Sequence, residues 1–252
     1  MNENGNKIIQ GLWVNGTLKR LQLMSIQSFI NCGHEFHLYT YNSSINAPKG
    51  TVIKPAGEII DEKEVFLDER DSLTAFADLF RYELLYQKGG WWVDLDVVCL
   101  RPFDFSEEYV FSSIYEEIGK KTLQIGVMKA PIHSAIMKSC VNKARQLLGE
   151  NDSVQWALLG KDILIDSCNE HLDQQQHYVY DPNVFSPIPW YFFNLLYSDI
   201  AFTFPDEVYA VHFYHEMLRL NSIDSDLPFP ENSYFERIYA QVMSATETDY
   251  DL

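Results

Sequence analysis

Basic residues are scarce in this chain. Only 19 Lys and Arg stand against 36 Asp and Glu, a formal net charge of −17 over 252 residues. Such a balance repels phosphate backbones and anionic lipid, which argues against a nucleic-acid partner and a polybasic membrane anchor. One small phosphate ligand held by a local cation stays compatible with it. Long apolar runs are missing too: no stretch of about 18–20 uncharged apolar residues exists, so no transmembrane segment is expected. The greasiest region, 184–204, is interrupted by Pro187, Pro189, Asn194 and Asp199. The opening residues, Met1 to Lys7, have neither the basic start nor the apolar run of a signal peptide, so a cytoplasmic protein is expected, at most peripheral at the inner face of the membrane. Cysteine is sparse, four residues without a C-x-x-C spacing, and Cys32, Cys99, Cys140 and Cys168 read as reduced core residues.

What is present is apolar mass. Hydrophobic residues make up 46% and aromatics 14%, enough for a real core, which excludes disorder and a small disulfide scaffold. Residues 7–14 (KIIQGLWV) predict a buried strand ending at Asn15-Gly16. Leu18, Leu21, Ile26, Phe29 and Ile30 approximate helical spacing up to Cys32-Gly33, and 35–41 (EFHLYTY) predict a second strand. This β-α-β opening is the mark of a sheet with crossover helices. Residues 43–71 are polar and turn-rich.

The clearest helix follows over 72–87, where Leu73, Phe76, Ala77, Phe80 and Leu84 form one face, Ser72 offers a cap and Gly89-Gly90 a stop. A strand over 91–100 (WWVDLDVVCL) comes next. Further strands are expected near 109–115, 123–129 and 208–213, and helices near 133–148, 153–172 and 232–243. An aromatic block covers 178–204. There is no internal repeat and no clean linker. The expectation is one α/β domain over 1–245 followed by an acidic flexible tail over 246–252.

Asp94-Leu95-Asp96 is the focus of the chemistry. A D-x-D tripeptide alone says little, since chance supplies about one in a chain this rich in Asp, and this chain has others at Asp224-Ser225-Asp226 and Asp249-Tyr250-Asp251. Those two lie in a polar loop and in the tail. Asp94 and Asp96 instead interrupt the most apolar strand, among Trp91, Trp92, Val93, Val97 and Val98. At i and i+2 of a strand they would share a face. Two carboxylates there repel and are costly to desolvate, and a divalent cation with oxygen ligands, Mn²⁺ or Mg²⁺, relieves both costs. Asp78 and Arg81, three apart on the preceding helix, project side by side, and the short Gly-Gly turn brings them near the pair. A guanidinium suits diphosphate or sugar oxygens, and a carboxylate suits sugar hydroxyls.

From Phe76-Ala-Asp-Leu-Phe-Arg-Tyr through Gly89-Gly-Trp-Trp-Val-Asp-Leu-Asp-Val-Val to Arg101-Pro-Phe, the chain resembles the DXD-motif retaining glycosyltransferases. These include yeast α-1,6-mannosyltransferases, bacterial capsule and O-antigen sugar transferases and, more distantly, the glucosyltransferase domain of large clostridial toxins. The dense match spans about 73–104. The resemblance implies a GT-A-type, Rossmann-like mixed sheet flanked by helices, a nucleotide-sugar donor (UDP-sugar favoured), a Mn²⁺ or Mg²⁺ cofactor, a saccharide or glycolipid acceptor and a role in surface polysaccharide synthesis. It implies metal binding by Asp94 and Asp96 with His212 as a late third ligand (His215 the alternative), catalysis by Asp78, Arg81 and Asp94, and donor contacts from Trp13, Asn42, Asp78, Arg81, Asp94 and Leu95. Trp13 matches the position whose indole stacks on uracil, a role apt for an aromatic face. The chain departs from the family pattern near Gly126, where many relatives carry Asn, and at Gly160-Lys161, where they carry Gly-Pro.

Two rivals are compatible with parts of the pattern. A haloacid-dehalogenase-type phosphohydrolase would use the first Asp of D-x-D as nucleophile, with Asp162 and Asp166 downstream, but would leave Asp78 and Arg81 without a role. A nucleotide-sugar-binding module without turnover would keep the site and lose the reaction. The aromatic run Trp190, Tyr191, Phe192 and Phe193 is an expected acceptor wall.

Overall fold

The computed structural model of the protein describes residues 6–171 and 178–244. The expected tail over 246–252 and the domain limit at 245 lie outside these. Six strands form a mixed sheet in the order β3-β2-β1-β4-β7-β6. They are β1 (Ile8–Trp13), β2 (Glu35–Thr40), β3 (Val52–Pro55), β4 (Gly90–Val93), β6 (Val110–Glu117) and β7 (Lys120–Ala130), while β5 (Val97–Cys99) and β8 (Ala210–His212) make a separate antiparallel pair. β1 runs parallel to β2 and β4, and β2 to β3, whereas β7 is antiparallel to β4 and β6. This is the mixed α/β sheet of the GT-A-type expectation.

Side-chain alternation assigns the two faces. Leu12, Val14, Trp92 and Met128 turn toward α2 (Thr74–Lys88), α3 (Ala135–Glu150) and α4 (Lys161–His171), joining one core with Phe76, Phe80, Met137 and Leu164. Ile9, Trp91, Val93 and Val127 turn the other way, onto Ile26 and Phe29 of α1 (Arg20–Asn31), Val97 of β5, and Phe185 of α5 (Pro182–Phe185). A third core joins Val98 and Val211 to α6 (His215–Leu220), α7 (Tyr234–Ser244) and the 3-10 segment Trp190–Tyr197. The four cysteines are free thiols.

Several elements differ from the sequence expectation. The strand expected over 91–100 is broken at the D-x-D: β4 ends at Val93, Asp94 N–H bonds Gly126 O (2.8 Å), and Val97 N–H turns back to Asp94 O (3.0 Å). The chain thereby leaves the main sheet and resumes as β5 against β8. Asp94 and Asp96 therefore sit in a turn between two sheets rather than on one strand face. Helix α4 begins at Lys161 rather than 153, behind a turn in which Ala157 has φ +64° and the Tyr82 hydroxyl donates to Gly160 O (2.9 Å). β3 and α6 arise where no element was expected.

Helix α2 starts at Thr74, whose N–H donates to Ser72 Oγ (3.2 Å), and ends on Gly89 at φ +65°. Glycine is required there: a Cβ would stand 2.5 Å from Ile132 N. This tight stop fixes the register between α2 and β4, and hence between Arg81 and Asp94.

Candidate active site

The chain runs β1, β2, β3 outward in one direction and then returns to add β4 on the other side of β1. Open α/β sheets bind ligands in the crevice at the carboxyl ends of strands flanking such a reversal. Trp13 ends β1, Asn42 follows β2, and Asp94, Leu95 and Asp96 follow β4, so five of the expected residues converge on that edge.

At its centre stands Arg81. The residue is 4% exposed, and one guanidinium nitrogen, Nη2, lies 3.2 Å from Asp78 Oδ1 and 3.2 Å from Asp94 Oδ1, while Nη1 donates to Ile125 O (3.0 Å). The Trp92 indole N–H also donates to Asp94 Oδ1 (2.8 Å), with the Arg81 guanidinium 5.2 Å above the Trp92 ring. Burial pushes the Asp78 carboxyl up to about 6 despite the nearby guanidinium, with Asp94 and Asp68 adding to the rise. Burial also raises Asp94, against the pull of Arg81.

On the far side of the turn Asp96 is held differently. Its Oδ1 is 3.1 Å from His212 Nε2 on β8, and its Oδ2 accepts the His215 N–H (2.8 Å) at the start of α6. Burial acts to raise this carboxyl, but the His212 charge and these hydrogen bonds outweigh it and bring it to about 2. Burial acts to lower His212, and the Asp96 carboxylate overrides it, so His212 is raised. The His212 ring lies 4.3 Å from that of Tyr214, a residue held at φ +52° whose hydroxyl donates to Ile188 O (2.5 Å).

Asp94, Asp96 and His212 each offer a ligand atom within 4.8 Å of the others. Two donors each about 2.1 Å from an octahedral ion stand roughly 3 Å apart, and the His212–Asp96 separation meets that. Buried His212 Nδ1 has no hydrogen-bond partner among the described residues. Two carboxylates and an imidazole fit a divalent cation of the Mn²⁺ or Mg²⁺ kind. Gly126 keeps this corner open, because a Cβ there would lie 3.1 Å from Asp94 Oδ2 and 3.5 Å from His212 Cε1. Gly160 similarly faces Asp78, with an added Cβ 3.5 Å from Asp78 Oδ2.

The remaining expected residues are placed as follows. Leu95 is buried against Gly11 and belongs to the α1-side core. Trp13 packs at the margin of the same core, its indole N–H buried and unpartnered among the described residues. It pairs in register with Thr40, which lines a cavity of about 680 Å³ together with Tyr41, Ser43, Ile53, Pro55, Gly57, Asp61 and Glu62. Asn42 closes an Asx turn, its Oδ1 accepting from Ser44 N–H (3.0 Å). His215 meets Asp96 through its backbone N–H. Trp190 and Phe192 are partly exposed.

Fold and site together define a mixed α/β protein with an Asp-Asp-His cluster able to hold a cation at the carboxyl edge of its parallel strands. Residues 31–120 match the family described as the glycosyltransferase sugar-binding region containing DXD motif. The chain carries that region over these residues, which hold β2 to β6, α2 and the Asp94-Leu95-Asp96 turn. No curated protein matches it in sequence. Among solved structures it is similar to the PaToxG glycosyltransferase (14% identity, TM-score 0.49, covering 66% of this chain and 70% of that one). It is also similar to GlyE of Streptococcus pneumoniae TIGR4 (12%, 0.48, 98% and 64%) and to an active-site mutant of LgtC (11%, 0.40, 70% and 74%). Among the described residues no helix is long and apolar enough to cross a membrane.

Proposed function

We propose that the protein is a metal-dependent retaining hexosyltransferase. It moves a sugar from a nucleotide-sugar, UDP-linked by preference, to a saccharide or glycolipid acceptor in surface polysaccharide synthesis, with the catalytic domain spanning 1–245. The observation that carries this reading is the joining of Asp94, Asp96 and His212 at the end of β4, with Arg81 binding Asp94 to Asp78.

Asp94, Asp96 and His212 would hold the Mn²⁺ or Mg²⁺ ion. When bound, the ion supplies Lewis-acid neutralisation of the charge that grows on the departing diphosphate. Arg81 adds a fixed positive charge in a largely water-excluded setting, where it acts more strongly than in water. Asp78 accepts hydrogen bonds from sugar hydroxyls, and Trp13 stacks on the base. Asn42 lies near the base or ribose, and Leu95 spaces the two carboxylates. In a front-face reaction the bond from the anomeric carbon to the diphosphate oxygen breaks as the acceptor oxygen bonds the same face. The acceptor proton passes to the leaving phosphate oxygen. The exposed rings of Trp190 and Phe192 offer an acceptor wall.

The test incubates the protein with UDP-glucose, UDP-galactose and GDP-mannose, with and without Mn²⁺, and measures released nucleoside diphosphate. Manganese-dependent UDP release is expected. Phosphate release from sugar phosphates without UDP would overturn the reading in favour of a hydrolase, and saturable donor binding without turnover on any acceptor would reduce it to a binding module.

A further inference from the structure

Ahead of α2 the chain makes a tight turn over 68–72. Asp68 N–H donates to Ser72 O (2.9 Å), and Asp68 Oδ1 accepts from the backbone N–H groups of Arg70 (2.9 Å) and Ser72 (3.1 Å). The residue is 4% exposed, yet its second oxygen, Oδ2, is buried with no hydrogen-bond partner among the described residues. The turn does not explain that oxygen. One acceptor suffices for the two N–H bonds, so Asn would close the turn equally well, and a bare buried carboxylate oxygen is costly.

The surroundings relate Asp68 to the active site. Its charge adds to the rise of the Asp78 carboxyl. Its turn is fastened to the segment that covers Asp78: Glu69 N–H donates to Val154 O (2.9 Å), Trp156 N–H to Glu69 Oε1 (3.3 Å), and the Arg70 guanidinium lies 4.2 Å from the Trp156 ring centre. That segment ends at Gly160, against Asp78 Oδ2. The turn carrying Asp68 and the turn carrying Gly160 thus form one wall beside the carboxylate that the proposed function gives to the sugar.

We infer that Asp68 is a sugar-selecting residue whose Oδ2 accepts a hydrogen bond from one hydroxyl of the transferred hexose, alongside Asp78 and Arg81. The inference rests on the proposed function. A hydroxyl is the chemistry that fits, because it donates a hydrogen bond to the bare carboxylate oxygen, which a phosphate oxygen cannot do. A site built to bond a hydroxyl rejects the analogue lacking it far more strongly than an apolar pocket rejects a missing methylene, so Asp68 favours donors bearing a free hydroxyl at that position.

The test uses Asp68→Asn, which keeps Oδ1 for the two N–H bonds and exchanges the free acceptor for a donor. With Mn²⁺ present, UDP affinity and KM for the preferred UDP-hexose are measured, along with KM for its four mono-deoxy analogues, in both proteins. The expected result is unchanged UDP affinity, a rise of about tenfold or more in KM for the parent donor, and one deoxy analogue that loses about tenfold in the wild type but less than about threefold in the variant. Equal KM values in both proteins overturn the inference, as does a parallel loss of UDP affinity or an equal penalty for every analogue in both proteins. Failure of the wild type to bind or turn over any nucleotide-sugar shows up before the variant is made. That outcome ends the proposed function and this inference with it.

Discussion

Arg81 Nη2 stands 3.2 Å from Asp94 Oδ1, so helix α2 and the turn after β4 meet through one buried charge. The same nitrogen reaches Asp78, and Nη1 is spent on Ile125 O. A planar fork can serve all three partners at once, which a lysine ammonium on a flexible stem cannot. Arg81→Lys should lower kcat by about 10²–10³-fold and lower stability, because the ammonium keeps the charge but cannot reach both buried carboxylates and Ile125 O at once. Steady-state turnover and urea unfolding check both effects, and near-normal turnover would remove Arg81 from the reaction.

Asp96 differs from Asp94 in being gripped by β8 and α6 rather than by α2. Asp96→Asn keeps one oxygen to accept the His215 N–H and removes the charge that an ion requires. Manganese-dependent turnover should disappear, and the unfolding midpoint should fall as well, because His212 loses the carboxylate it pairs with. Calorimetric titration with Mn²⁺ should show at least a hundredfold weaker binding, since altering the groups that merely orient a metal ligand already costs about 10–100-fold.

Much of this site was legible in the chain, for identifiable reasons. Helix α2 announces itself through Phe76, Phe80 and Leu84 on one face and Gly89-Gly90 at its end, and that stop is what sets Arg81 against Asp94. The break in the D-x-D strand was not legible. WWVDLDVVC has the apolar continuity of a single strand, and what interrupts it is long-range: Gly126 O takes the Asp94 N–H, and β8 rather than a main-sheet strand pairs with β5. β3 is only four residues with half its side chains exposed, ordered by parallel pairing to β2. Asp68 carries no local mark either, since only the folded chain shows that its second oxygen is buried without a partner among the described residues.

His34 gives the fold a pH dependence away from the active site. Its Nε2 accepts the Phe103 N–H (2.9 Å), so the proton sits on Nδ1 and bonds Asn6 O (3.0 Å). Burial holds this imidazole below its ordinary 6.5. Below pH 6.5 the unfolded chain takes up a proton that the folded chain refuses, so this group's contribution to stability is complete above 6.5 and falls as the solution is acidified. Urea unfolding of wild type and His34→Gln at about pH 7.5 and about pH 5.5, on either side of that value, should show the wild type losing ground to the variant at the lower pH. A difference that does not change with pH would mean that His34 tolerates protonation in place.

Gly89 links stability to geometry. Gly89→Ala forces a side chain into a conformation at φ +65° and drives its Cβ to 2.5 Å from Ile132 N. Backbone strain alone costs about 1–3 kcal/mol, and relief requires α2 and β4 to shift relative to one another. The expected outcome is a stability loss of at least about 2 kcal/mol together with a fall in kcat, measured by denaturant unfolding and turnover well below the new midpoint. A variant as active as the wild type would show that the Arg81–Asp94 bridge does not depend on this register.

Trp13 has two physical claims on it, and they separate experimentally. Its indole lies at the margin of the α1-side core, so truncation removes packing; for a fully buried Trp this costs about 3–5 kcal/mol. It also ends the strand whose register partner, Thr40, lines the cavity at the carboxyl edge, and its N–H is unpartnered among the described residues. Base stacking contributes about 1–3 kcal/mol, which corresponds to a KM change of roughly five- to more than a hundredfold. Trp13→Phe keeps a ring and most of the volume, whereas Trp13→Ala keeps neither. If the indole stacks on the base, Trp13→Ala raises the donor KM within that range with kcat nearly unchanged, and Trp13→Phe recovers most of the loss. If it is only core, both variants lose stability in proportion to the volume removed and the donor KM stays at its wild-type value, which would take Trp13 out of the donor site.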